Sequence, residues 1–157
     1  MNFKNVRFLF ATCAVALLFA SNANAQNPTV EVSDLGVLSI TGTDDAEVIM
    51  VGTFSLFGVD TGAVTVQVND TFFGPVRKSD GSILLSSEVI GVNVFAGGGG
   101  DAIFLNEISA ASGWNTFFNV IKGEDGVDFA IGSEFTDLFV GGNDFDVAGG
   151  GIDIFID

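Results

Sequence analysis

The chain has 157 residues, of which twenty are acidic, five are basic and none is histidine, for a formal net charge of −15 at pH 7. A protein this acidic is not expected to bind nucleic acid or an anionic membrane. Its hydrophobic fraction of 48% is too high for a disordered chain, so it is predicted to fold. Without histidine, and with Cys13 as the single cysteine, the usual general bases, thiol nucleophiles and zinc ligands are missing. We therefore expect a protein that is not an enzyme.

The first 25 residues have the pattern of a Sec-type signal peptide. Lys4 and Arg7 precede an apolar run over residues 8–20, and a segment of small residues follows it up to Ala25. A membrane anchor is the alternative, but thirteen apolar residues are too few to span a bilayer. The pattern predicts cleavage near Ala25 and a secreted, periplasmic or cell-surface product. Cleavage would remove Cys13 and leave three basic side chains, so the product would need cations to offset its charge.

Residues 26–157 are enough for one domain. We divide them into an N-terminal β segment, residues 26–95, and a repeat segment, residues 96–157, which together form one compact unit. Short apolar runs bounded by turn residues predict strands in the first segment. These predicted strands are residues 29–32, 36–41, 48–51, 63–68, 83–85 and 89–95.

The repeat segment has a period of nine residues. Asp128, Asp137 and Asp146 are nine residues apart, and Asp101 lies three such steps before Asp128. Each unit consists of a turn, an aspartate and a short apolar strand. Residues 105–122 fill two steps without the glycines, with Asn119 where an aspartate would fall, so one coil is expected to be modified there.

Two further units depart from this spacing. Asp153 follows Asp146 after only seven residues, which indicates a tighter turn or a change of register. Residues 42–49 show a weaker match, in which Glu47 takes the place of the aspartate. An ordinary β-turn followed by a strand is the alternative interpretation of that stretch.

These units resemble the calcium-binding nonapeptide repeats of RTX (haemolysin-type) proteins, with the pattern GGxGxDxUx, in which U is a large apolar residue. The resemblance implies an all-β fold: a parallel β-roll or β-solenoid at the C-terminus, with the N-terminal strands packed on it or extending it. It also implies that Asp101, Asn119 and Asp137 stack on one side, and Asp128 and Asp146 on the other. Calcium would then lie between successive turns, held by carboxylates and turn carbonyls.

The residue types suit that ion. Calcium takes six to eight oxygen ligands, which stacked turns can pool because neighbouring strands lie only about 4.8 Å apart. Glycine allows positive φ in such turns. The candidate calcium-site residues are Gly97, Gly99, Asp101, Asn119, Gly123, Asp125, Gly126, Asp128, Asp137, Gly141, Asp144, Asp146, Gly149, Gly151 and Asp153.

The repeats are also degenerate. Glu124, Ser133, Phe135 and Asp144 stand where the pattern has glycine, which predicts a partly eroded array that is best preserved around Asp101 and Asp153. Glu124, Asp125 and Asp144 could supply additional carboxylates, whereas Phe135 indicates a degraded turn. The alternative is a metal-free solenoid in which these are ordinary Asp/Gly turns.

The strands of the repeats are apolar on both faces. The U positions, expected to face inward, are Ile103, Ala130, Phe139, Ala148 and Phe155. The flanking positions are also apolar, namely Phe129, Ile131, Leu138, Val140, Val147, Ile154 and Ile156. Strands of this kind usually belong to sheets covered on both faces. We therefore expect the outer face to be covered by the N-terminal segment, by another protein or by a second copy of this chain.

Three functions remain in competition. The first is an exported calcium-binding module with a structural, surface or interaction role, whose folding depends on the ion. The second is a metal-free solenoid that acts in adhesion or assembly through its apolar strands, with residues 152–156 as a docking edge. The third, a carboxylate enzyme acting on polysaccharide, fits least well because the aspartates are evenly spaced instead of converging on one cleft.

Overall fold

The computed structural model describes residues 27–156, so the predicted leader lies outside the described residues. This part of the chain is almost entirely β-structure, as the sequence predicts. Its strands are Thr29–Val32 (β1), Val37–Thr43 (β2), Val48–Leu56 (β3), Val59–Val68 (β4), Thr71–Phe73 (β5), Gly91–Gly98 (β6), Ala102–Phe104 (β7), Asn119–Asp125 (β8), Phe129–Ile131 (β9), Asp137–Gly142 (β10), Val147–Gly149 (β11) and Ile154–Ile156 (β12). It contains no helix that is long and apolar enough to span a membrane.

The strands form two mixed six-stranded sheets. The first sheet has the order β1-β2-β6-β8-β10-β12, and the second has the order β11-β9-β7-β3-β4-β5. From β2 to β12 the neighbours in the first sheet are parallel, as are those from β3 to β11 in the second. Among the strands of the described residues, antiparallel pairing occurs only where β1 joins β2 and where β4 joins β3 and β5.

The chain passes from one sheet to the other and back. Four tight turns lead from the first sheet to the second, connecting β2 to β3, β6 to β7, β8 to β9 and β10 to β11. The parallel register aligns equivalent positions of these units, so that Ile40, Val94, Ile121 and Phe139 form one column. Equivalent side chains therefore stack at one strand spacing, about 4.8 Å.

The core lies between the two sheets. The column from Ile40 to Phe139 is fully buried, and so are Ile103 and Ala130 on the second sheet. Three of the predicted inward positions, Ile103, Ala130 and Phe139, are therefore in the core. Ala148 is partly buried against it, whereas Phe155 on the edge strand β12 is 42% exposed and stacks on Phe139.

The N-terminal segment extends the two sheets. Strand β6 runs through residues 95 and 96, and one hydrophobic cluster contains residues from both segments, so no structural boundary separates them. Strands β1 to β5 lie beside the later strands and leave Phe129, Val147, Ile154 and Ile156 exposed. The N-terminal segment therefore does not cover the outer face, because its strands lie in the same two sheets as those of the repeat segment. Cover by another protein stays a prediction.

One predicted strand needs correction, and the coil that was expected to be modified has an irregular structure. Residues 83–85 do not form a strand, since Ile83 and Leu85 make only isolated bridges, to Arg77 and Ala63. The modified coil is a single connection from β7 to β8, with one 3₁₀ turn at Ala110–Ser112. Its residues Leu105, Ile108 and Trp114 are buried in the core. Elsewhere in the repeat segment each nine-residue unit crosses from one sheet to the other, whereas this connection has the length of two units and crosses once.

Candidate metal centre

Four acidic side chains stack where the chain leaves the first sheet for the second. We call Glu47, Asp101, Asp128 and Asp146 the acidic row; each precedes the first residue of a second-sheet strand by one position. The Glu47 N–H donates to Asp101 Oδ1 at 2.7 Å, and the Asp101 N–H donates to Asp128 Oδ1 at 2.8 Å. The Asp128 N–H donates to Asp146 Oδ1 at 2.8 Å, so each aspartate joins its own turn to the preceding one.

The opposite turns carry a second row of three side chains. We call Asn119, Asp137 and Asp153 the amide row, which lies where the chain enters β8, β10 and β12. The expected partition placed Asp101 with Asn119 and Asp137, and this is wrong. Because residues 105–118 cross between the sheets once and not twice, Asp101 falls on the same side as Asp128 and Asp146.

The acidic row contains buried carboxylate oxygens that lack a partner. Asp101, Asp128 and Asp146 are only 2%, 1% and 4% exposed. In each of them Oδ1 accepts the backbone bond, while Oδ2 is buried without any hydrogen-bond partner. Residues 27–156 contain one ion pair, between Lys78 and Glu88, and it involves none of these side chains. A buried carboxylate without a cation or a full set of donors is costly, so these three oxygens require an explanation.

Small residues five positions earlier make room for these carboxylates. A Cβ atom added to Gly123 would lie 2.0 Å from Asp128 Oδ2, and one added to Gly141 would lie 2.0 Å from Asp146 Oδ2. Gly42 has the same relation to Glu47, at 2.6 Å from Oε2. The equivalent position before Asp101 is Ala96. The carboxylates of Glu47, Asp128 and Asp146 thus fold back over the backbone of their own turns.

Replacement of Gly123 with alanine should therefore displace the Asp128 carboxylate. The new methyl group would also meet the Gly141 carbonyl oxygen at 2.7 Å, so the turn cannot easily relax. We expect a loss of about 1–3 kcal/mol in unfolding free energy, as for other overpacked sites, measured by denaturant titration. Gly52→Ala is the matched control, because its methyl group would make only an ordinary 3.6 Å contact with Glu107. Equal effects of the two substitutions would contradict this account of Gly123.

Burial raises the pKa values of three members of the acidic row, namely Glu47, Asp101 and Asp128. Desolvation is the main cause, and it raises the pKa of Asp101 to about 8 and that of Asp128 to about 6. Repulsion from neighbouring carboxylates adds to the shift, while the backbone hydrogen bonds oppose it. The pKa of Glu47 is also raised by desolvation, against hydrogen bonds from Thr43. The ionised row is therefore unfavourable by itself, and a bound cation would relieve it.

Glu47 closes one end of the acidic row. Its two carboxylate oxygens accept bonds from the Thr43 N–H, at 3.2 Å, and from the Thr43 hydroxyl. It is buried, and unlike the three aspartates it has no unpartnered oxygen. Glu47 was not among the candidate residues, although a sequence signal existed. In the sequence, Gly42 precedes Glu47 by five positions, just as Gly123 precedes Asp128.

The other predicted site residues serve the turns in different ways. Positive φ occurs at four of the predicted glycines, Gly97, Gly99, Gly126 and Gly151. A Cβ atom on Gly126 would lie 1.4 Å from the Gly99 carbonyl oxygen, so the backbones of these adjacent turns are in direct contact. Gly149 lies in β11. Asp125, Asp144 and Asp153 are exposed, and Asp125 accepts a hydrogen bond from Asn143. These three carboxylates therefore lie outside the buried acidic row.

A metal ion on the acidic row would need backbone ligands as well as carboxylates. Among residues 27–156, no group of three or more His, Cys, Asp or Glu side chains is arranged to hold a metal ion. Because the row places its acids one strand spacing apart, two of them at most would face one ion. The hard oxygen donors present suit calcium or magnesium and do not suit soft metals.

Comparison with models of known families, with curated proteins and with solved structures finds no match to this chain.

Proposed function

We propose that the chain is an exported calcium-binding β-roll with a structural, surface or interaction role. In this proposal, Asp101, Asp128 and Asp146 hold calcium through the carboxylate oxygens that lack a hydrogen-bond partner. The carbonyl oxygens of the stacked glycine-rich turns complete the ligand set. The proposal rests on the three buried Oδ2 atoms of the acidic row, which have no hydrogen-bond partner. The cleaved leader that the sequence predicts would deliver the chain to compartments where calcium is abundant.

Calcium fits this row better than magnesium. Magnesium requires near-ideal octahedral geometry and retains several waters, whereas calcium accepts irregular sets of six to eight oxygens. A row of buried carboxylates between stacked turns offers oxygens in a fixed, irregular arrangement and little room for water. The ion would supply the positive charge that the buried carboxylates lack, and its binding free energy would add to folding.

Calorimetric titration of metal-depleted residues 26–157 tests the proposal. We expect calcium to bind and to raise the melting temperature followed by circular dichroism, while magnesium at the same concentration has a much smaller effect. At a free calcium concentration one hundred times Kd, linkage predicts about 2.7 kcal/mol of stabilisation. The absence of both binding heat and a change in melting temperature at millimolar calcium would overturn the proposal.

A second candidate function is assembly through the apolar edge at β12. Ile154, Phe155 and Ile156 are all exposed, and among the described strands β12 pairs with β10 alone. An exposed apolar edge strand is a ready surface for pairing with another chain. This observation favours self-association that does not depend on calcium.

The double substitution Ile154→Lys with Ile156→Lys should therefore lower the molar mass measured by light scattering. We expect the unsubstituted chain to exceed the monomer mass both with calcium and with EDTA, because the edge contact does not involve the acidic row. Leu35→Lys, at a residue that is 78% exposed, controls for adding charge to an exposed apolar side chain elsewhere. A strictly monomeric unsubstituted chain would contradict assembly through this edge.

A further inference from the structure

The amide row differs from the acidic row because both oxygens of its buried carboxylate, Asp137, have hydrogen-bond partners. Asp137 Oδ1 accepts from Asn119 Nδ2 at 2.9 Å, and Asp137 Oδ2 accepts from the Ser133 N–H at 2.7 Å. The Ser133 hydroxyl lies 3.1 Å and 2.9 Å from the same two oxygens. Asp137 is completely buried, yet neither of its oxygens lacks a partner.

Asn119 makes this arrangement possible. Its Oδ1 accepts from the Val92 N–H at 3.0 Å, while its Nδ2 donates to Asp137 and, at 3.1 Å, to the Ser133 hydroxyl. Reversing the amide would place a carbonyl oxygen against the Asp137 carboxylate and an NH₂ group against the Val92 N–H. The hydrogen bonds therefore permit one amide orientation, and in it the amide presents positive partial charge to Asp137.

The same contact would be repulsive with a carboxylate at position 119. An aspartate can accept from the Val92 N–H as asparagine does, as the acidic row shows with its own backbone bonds. Its second oxygen would then lie against Asp137 at about the distance of the present Nδ2 donor. Two buried carboxylates in such contact require a shared proton or a cation.

We infer that Asn119 keeps the amide row free of metal and confines calcium to the acidic row. The amide takes the place that a cation would occupy beside Asp137, so the stack is held together on this side by hydrogen bonds alone. At the end of the row, Asp153 is exposed, and its Oδ2 accepts from the Asp137 N–H at 3.0 Å. This inference rests on the proposed calcium binding and adds which side of the stack takes the ion.

Calcium stoichiometry of three variants tests the inference, measured by calorimetry on metal-depleted protein. Asp137→Asn should leave the number of calcium ions bound per chain unchanged, although it lowers the melting temperature by removing an acceptor from Ser133. Asp128→Asn, the matched change on the acidic row, should reduce the number of ions or lower the affinity at least about tenfold, because fewer charged ligands remain. Asn119→Asp should add about one bound ion per chain, because it creates a carboxylate pair.

The outcomes distinguish a failure of the proposed calcium binding from a failure of the inference about Asn119. If the unsubstituted chain binds no calcium, the proposed function fails, and the inference that depends on it fails as well. If it binds calcium but Asp137→Asn lowers the stoichiometry, the inference alone is overturned. Should Asn119→Asp not fold by circular dichroism even with calcium, Asp137→Asn still decides the question. A folded Asn119→Asp variant with unchanged stoichiometry would also count against the role of Asn119.

Discussion

Asp128→Asn is expected to weaken calcium binding at least about tenfold, while leaving the calcium-free protein at pH 8 as stable as before or more stable. Asp128 is in the middle of the acidic row, where its Oδ1 accepts from the Asp101 N–H and its Oδ2 has no partner. Asparagine keeps the first contact through its carbonyl oxygen. The substitution replaces an unpartnered oxygen by an unpartnered amide group, but it also removes a buried negative charge that lies between the carboxylates of Asp101 and Asp146.

The expected result is therefore that calcium reverses the order of the two melting temperatures. Without calcium the variant should melt at or above the temperature of the unsubstituted chain; with calcium it should melt below it. For a domain of this size, each 1 kcal/mol corresponds to roughly 3–5 °C. Asp70→Asn removes the same charge at an exposed turn between β4 and β5 and serves as the control. An equal loss of calcium affinity in both variants would show that overall charge matters and the acidic row does not.

The second large effect concerns pH. Burial raises the pKa of Asp101 to about 8 and that of Asp128 to about 6, well above their values in an unfolded chain. A group whose pKa is raised by folding takes up protons more readily in the folded state, so its contribution to stability is complete below its unfolded pKa. That contribution is lost as the pH rises through the folded pKa. Metal-depleted protein should therefore become less stable between about pH 4 and pH 8.

In the proposed binding mode calcium competes with protons for the same carboxylates, so it should reverse this trend. The stabilisation that saturating calcium confers should be small near pH 4 and should grow through the same pH range. The opposite shifts at Asp80 and Glu88, whose pKa values are lowered mainly by hydrogen bonds from Ser82 and Lys78, affect stability only at lower pH. Melting temperatures from pH 4 to pH 9, with and without calcium, provide the measurement.

The matched control for the pH effect is the double variant Asp101→Asn with Asp128→Asn. It removes the two carboxyl groups whose pKa values burial raises most, so the stability of the metal-free variant should vary much less with pH. If the unsubstituted, metal-free protein instead gains stability as the pH rises from 4 to 8, the buried acidic row cannot be the dominant titrating element.

Much of the local architecture was predictable because it depends on short-range pattern. The alternation of turn, aspartate and apolar strand predicted β9 to β12 in outline, and Ile103, Ala130 and Phe139 were correctly assigned to the core. The side on which Asp101 stacks was not predictable from the period alone. A segment two periods long can cross between the sheets twice or once; here it crosses once, and its residues Leu105, Ile108 and Trp114 are buried in the core.

The sequence alone determined the chemistry available to this protein: abundant carboxylates, no histidine, and aspartates at a nine-residue period that follow glycine-rich turns. Tertiary structure decided how each carboxylate is used, because its hydrogen-bond partners come from neighbouring turns distant in sequence. Asp137 is satisfied by Asn119 and Ser133, whereas Asp101, Asp128 and Asp146 each retain a buried oxygen without a partner. Residues that are equivalent in the repeat thus differ in charge balance because different turns are stacked against them.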